Sequence, residues 1–247
     1  MATKLEYADN PYARPAIEAK VEDRVVFLRK VAGLTFLGLL ISGGSSLVTA
    51  AAIAMLSNIL MGRGVSLVLM LGSLFLARMV GGSMVRSETP AVQYGGFVFG
   101  TMMQGVAMGY LILSALLLSA SQFGNPLVLL VEAVALVSLT MFGMCVYLLT
   151  GPKNLSMIGG FMSAVSLPML LLMVVSFAFP SLFGGVFGLI INVVFVGMSA
   201  AGLLYSLNSV MHKMSTEMVV PAAYYVTMGI LTLFWNILTL LMRLQRR

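Results

Sequence analysis

The sequence predicts an all-α integral membrane protein, a seven-transmembrane-helix bundle with little mass outside the bilayer. Three observations carry that expectation. Of the 247 residues, 60% are hydrophobic and only 9% are charged, whereas a soluble domain has about a quarter of its residues charged to wet its surface. The mean hydropathy is +1.04. The apolar residues also fall into seven runs divided by turn formers, each near the ~20 residues that cross a ~30 Å hydrocarbon layer.

The runs cover about 31–60, 64–83, 92–119, 126–149, 157–179, 182–207 and 219–241. Between them stand Gly62-Arg63-Gly64, Arg86 to Pro90, Ser121 to Pro126, Gly151-Pro152-Lys153, Pro180-Ser181 and His212 to Glu217. The division at Pro180 is the weakest, because the stretch around it is nearly uncharged.

Residues 1–30 form a mixed-charge N-terminal tail. Pro11 and Pro15 disfavour early helix, but Ile17, Val21, Val25 and Leu28 recur at helical spacing between Ala16 and Lys30. That pattern predicts a short amphipathic helix lying on the membrane surface, with a disordered tail as the alternative. The tail lacks the apolar core of a cleaved signal, so the first span is expected to direct its own insertion.

The formal net charge is +6, from fourteen bases and eight acids. The bases edge the apolar runs instead of clustering, which excludes nucleic acid as a partner and marks them as topology signals. Arg24, Arg29, Lys30, Arg86, Lys153 and Lys213 fall on one side if seven spans alternate, and only Arg63 opposes them within the loops. The positive-inside rule then makes the N-terminus cytoplasmic. Arg243, Arg246 and Arg247 end up outside, so the last span either crosses fully or is re-entrant; full crossing is the expectation. The membrane is expected to be a bacterial cytoplasmic (inner) membrane.

No enzyme and no cofactor are expected. His212 is the sole histidine and lies beside Lys213 in a loop, with no nucleophile–base pair, phosphate loop or metal-ligand cluster around it. Cys145 permits no internal disulfide and reads as a small buried hydrophobe. The twenty-one methionines read as adaptable packing.

An ionisable group inside a bilayer is costly and is therefore a functional candidate. Glu132, in the fourth run, is either a cation- or proton-binding carboxylate or a residue reaching outward to the headgroups. Arg78, late in the second run, is expected to snorkel to the cytoplasmic headgroups. Gly229, Thr232, Asn236 and Thr239 follow at intervals of three, four and three, which puts them on one face of the last helix. Asn192 and Ser206 of the preceding span can meet that face. The polar stripe reads as interhelical glue or as part of an ion pathway. Gly96 with Gly100, Gly105 with Gly109, and Gly184 with Gly188 are small-xxx-small pairs suited to close helix packing.

Three stretches carry a family resemblance. Val137-Ser138-Leu139-Thr140-Met141-Phe142-Gly143 leads through Leu149 to Lys153-Asn154-Leu155-Ser156 and Gly159-Gly160-Phe161. Tyr205-Ser206-Leu207-Asn208 follows Gly202, and Ala222-Ala223 precedes Gly229-Ile230-Leu231-Thr232-Leu233-Phe234. Together they resemble the transmembrane Bax inhibitor motif family (Bax inhibitor-1-like, YccA-like). The resemblance implies a bundle with the last helix central. It also implies, for many members, a pH-sensitive calcium leak or a role in membrane-protein turnover and cell survival.

The departures bear on mechanism. The family's leak rests on two aspartates sharing a proton, and the resemblance places Ser206 and Gly229 at those positions. Two facing carboxylates hold one proton because nearby like charges raise a pKa; a serine and a glycine cannot titrate. Asn154 replaces the family's loop aspartate as well. The expected function is therefore a non-enzymatic regulator or accessory subunit that binds other membrane proteins. The alternative is a calcium or proton leak through Glu132 and the polar face of the last helix.

Overall fold

The computed structural model describes residues 15–56, 63–149 and 185–245. The expected span 157–179, the Pro180 division, Gly184, Lys153 and Asn154 lie outside the described residues. Every regular element among the described residues is helical. The helices are α1 (Val21–Met55), α2 (Arg63–Phe75, continued by a π-helical turn Leu76–Gly81 and a last turn Gly82–Met84), α3 (Pro90–Phe123), α4 (Val128–Leu149), α5 (Gly185–His212) and α6 (Val219–Gln245). α1, α3, α4, α5 and α6 are each long and apolar enough to cross a membrane, and α2 contributes a shorter apolar stretch, Val68–Met84. The protein is a multi-pass helical membrane protein.

Residues 16–30 do not form a separate surface helix. Ala16–Glu18 make a single 3-10 turn, and α1 then runs without a break from Val21 through the first span. Glu22 and Asp23 occupy the first turn, where the helix dipole favours acids; no proline interrupts the chain before Met55, and Gly43-Gly44 stays helical. The amphipathic stretch and the span are therefore one rod, about 52 Å long at 1.5 Å per residue. The 3-10 turn packs inward: Ala16 is fully buried and its N–H donates to the Met214 carbonyl at 2.7 Å. This contact ties the segment just before α1 to the α5–α6 turn.

Local chemistry sets the other ends. Pro90 occupies the first turn of α3, where its missing N–H costs nothing. Gly124 closes that helix with φ of 68°, a left-handed cap that favours glycine. Asn125 Oδ1 then accepts from the Leu127 N–H at 2.9 Å, and Ser119 Oγ donates to the Asn125 carbonyl at 2.6 Å, so α4 folds straight back along α3.

α6 is the axis of the described bundle. In its most apolar stretch 56% of residues are buried, against 17–33% in the other four long helices. It packs on α1, α3, α4 and α5, and it is one uninterrupted helix of about 40 Å, long enough to cross the bilayer.

The broadest helix pair is α1 with α3, and it is built from small residues. A Cβ on Gly105 would collide with Ser45 Oγ and the Ser42 carbonyl; on Gly109 it would press into Thr49. Ser45 Oγ donates to the Met102 carbonyl at 3.1 Å across the same seam. Gly96 faces Met84 and Val85, and Gly100 faces the Tyr224 ring, so the two halves of one glycine ridge contact different neighbours. Gly188 is buried on α5. Cys145, read as a buried hydrophobe, is exposed on α4. A lipid-facing helix surface is as apolar as a packed one, so composition alone does not tell the two apart.

Gly105→Ala should therefore destabilise the protein by about 1–3 kcal/mol through overpacking against backbone. Gly43→Ala, where a Cβ meets nothing within 4 Å, should be neutral or stabilising by up to ~1 kcal/mol. Thermal unfolding of both variants in the same detergent checks the pair; equal melting temperatures would remove the close α1–α3 seam from the account.

Candidate functional site

The site begins with a change of helical pitch. Leu76–Gly81 winds as a π-helix, a feature that gathers at functional positions. Tyr224, buried at the head of α6, donates its hydroxyl to the Ala77 carbonyl inside that turn. Its ring lies where Gly81 and Gly100 leave room, and it meets Phe97 edge-on with centroids 6.5 Å apart. A larger residue at either glycine would drive the tyrosine out of this seat.

Two guanidiniums flank the seat. Arg78, expected to reach for the headgroups, crosses instead to the last helix, where Nη2 donates to Thr232 Oγ1 at 2.7 Å. Thr232 in turn donates to the Met228 carbonyl at 2.7 Å, so its hydroxyl both gives and accepts. Arg86, just past the end of α2, places Nε and Nη2 on the Tyr225 hydroxyl and its guanidinium carbon 5.6 Å from that ring's centroid. Tyr224 and Tyr225 meet edge-on at 6.2 Å.

Between these groups lies a partly open cleft of about 350 Å³. Arg78, Gly82, Ser83 and Arg86 line one wall, and Tyr224, Tyr225 and Met228 line the other. No acid lines it. Both arginines donate to hydroxyls, so the cleft carries positive charge that no carboxylate neutralises among the described residues.

The predicted site residues divide. Thr232 belongs to the arginine cluster. Thr239 Oγ1 donates to the Trp235 carbonyl and Ser206 Oγ to the Gly202 carbonyl, each within its own helix. Asn192 is buried on α5, and its Nδ2 has no partner among the described residues. Among those residues no hydrogen bond joins Asn192 or Ser206 to Thr232, Asn236 or Thr239. The four stripe positions of α6 are half-buried, not enclosed. Glu132 is exposed on α4 and does not join them.

Leu203, fully buried, fills the space beside Gly229: a Cβ there would stand 2.8 Å from Leu203 Cδ1. One of the two positions where the resemblance expects an acid thus faces the side-chain tip of a neighbouring leucine. A family model described as Inhibitor of apoptosis-promoting Bax1 (Bax1-I) matches residues 24–247. The chain belongs to the Bax inhibitor family. Comparison with curated proteins and with solved structures gives no significant match. Membership in the Bax inhibitor family agrees with the motifs at Val137–Phe161, Tyr205–Asn208 and Ala222–Phe234.

Sequence reasoning passed over Arg86, Tyr224 and Tyr225 as site residues. In the sequence Arg86 reads only as a topology signal, and the tyrosine pair stands in an apolar run. The usable signal was a second arginine eight residues after Arg78 with Gly81-Gly82 between them.

Thr232→Val should leave Arg78 without its one hydroxyl partner and cost about 1–3 kcal/mol of stability, whereas Thr232→Ser should keep the bond and most of that stability. Denaturant or thermal unfolding of the two variants separates them, and an equal loss in both would assign the effect to packing alone.

Proposed function

We propose that this Bax inhibitor family protein is a non-enzymatic regulator or accessory subunit that binds other membrane proteins and moves no cation itself. One observation carries the reading: the polar face of α6 is occupied by a guanidinium, not a carboxylate. A divalent ion passing ~5 Å from Arg78 meets roughly 6–7 kcal/mol of repulsion at an effective dielectric near 20, with no acid among the cleft residues to offset it. Leu203 against Gly229 further supports it, because an aspartate at that position has no room without moving the leucine.

The N-terminus is proposed to be cytoplasmic, in a bacterial inner membrane. Arg24, Arg29, Lys30, Arg86 and Lys213 gather at the end of the bundle where the Ala16–Met214 and Arg86–Tyr225 contacts lie, as the positive-inside rule asks. The alternative, a calcium or proton leak, draws support from the polar residues that remain on α6 and from Glu132 as the lone acid within the apolar runs.

Calcium efflux from proteoliposomes at about pH 6 and pH 8, the interval over which a shifted carboxylate titrates, separates the two. The expected result is efflux equal to that of protein-free liposomes at both values, with a stable protein partner at fixed ratio after purification in gentle detergent. A pH-dependent leak abolished by Glu132→Gln would overturn the proposal in favour of the leak, and migration as a lone monomer would count against partner binding.

A further inference from the structure

We infer that the cleft between α2 and the head of α6 binds a phosphate group, carried by an anionic lipid headgroup or free in solution. The inference stands apart from partner binding and rests on the cleft's own chemistry. Arg78, inside the π-helical turn, and Arg86, just past the end of α2, are eight residues apart, about 12 Å along a helix, and line the same cleft. Like charges brought together in a membrane protein repel unless a counter-charge joins them. The nearest acid in sequence, Glu88, is exposed in the turn beyond Arg86 and does not line the cleft. The other acids described at this end of the bundle, Glu18, Glu22, Asp23 and Glu217, are exposed and do not line the cleft.

Both guanidiniums keep donors to give. Arg78 spends one N–H on Thr232, and Arg86 directs Nε and Nη2 to Tyr225. A guanidinium has five N–H groups in a planar fork that matches phosphate oxygens. Tyr225 accepts from Arg86, which leaves its own hydroxyl proton able to join an anion. The cleft volume of about 350 Å³ lies within the ~300–1,000 Å³ range of small-ligand sites. Its position also fits a phosphate. Arg86 stands at the end of the bundle that carries the other bases, with two tyrosines beside it, the residues of the headgroup layer. Basic pockets between helices at this depth take anionic headgroups.

The test uses the full chain in a neutral detergent, with thermal melting followed while phosphatidylglycerol, phosphatidylcholine or inorganic phosphate is added. Phosphatidylglycerol is expected to raise the melting temperature of the native protein and phosphatidylcholine to leave it unchanged. Arg78→Gln and Arg86→Gln should each weaken the apparent affinity by about tenfold or more, as loss of a charged hydrogen-bond donor does. Arg86→Lys should recover part of it, and Arg29→Gln, which removes an exposed base at the same end, should match the native protein. Because Arg86 lies at the rim, its variants test the site even where Arg78→Gln fails to fold. A shift reproduced by millimolar inorganic phosphate assigns the site to the free anion; a shift seen only with the lipid assigns it to the headgroup. An equal phosphatidylglycerol response in Arg86→Gln and Arg29→Gln, or no response of the native protein to either phosphate source, overturns the inference.

Discussion

The close approach of α3 to its neighbours is the constraint on which the rest of the structure depends. In lipid, apolar side chains gain little by leaving one another's company, so helices associate where backbones can come near. Gly105 and Gly109 admit the serine and threonine face of α1, while Gly96 and Gly100 admit the end of α2 and the Tyr224 ring. One helix thereby fixes the distance of three others. α6 fills the axis that remains, with Gly38 of α1 pressed against Phe97 and Thr227 at the point where α1, α3 and α6 meet.

The arginine cleft follows from that packing. Tyr224 is seated by Gly81 and Gly100, and its hydroxyl bonds the Ala77 carbonyl inside the π-helical turn. With the turn anchored there, Arg78 projects to Thr232 and Arg86 to Tyr225, both on α6. The charge at the core of the polar region is consequently positive and held by hydroxyls. A shared-proton carboxylate pair needs two acids in contact; Ser206 bonds its own helix and Gly229 backs onto Leu203. In this member of the Bax inhibitor family the electrostatic centre beside α6 is a pair of guanidiniums held by hydroxyls.

The membrane class, the limits of α3, α4 and α6 to within a few residues, and the glycine pairs of α3 were all legible in the sequence. They depend on local quantities: apolar length, proline and glycine at helix ends, and spacing along one helix. The continuous α1 was not. Helical spacing in 16–30 was recognised, but whether two adjacent helical stretches bend apart or join depends on what their ends touch, and here Ala16 is held against Met214. Cys145 was misplaced for a related reason, since lipid and protein interior ask for the same apolar side chains.

By itself, then, the sequence determined that this chain crosses a membrane as helices, which end carries the positive charge, and that Ser206 and Gly229 stand where the resemblance places an acid pair. Those properties belong to single segments and need no partner to be read. Only the tertiary structure decided that Arg78 and Arg86 share a cleft, that Glu132 stays outside it, and that the Leu203 side chain packs beside Gly229. Each of these is a contact between helices far apart in the chain, 154 residues in the case of Arg78 and Thr232. Periodicity gives a residue's face on its own helix, but not which neighbouring helix that face meets.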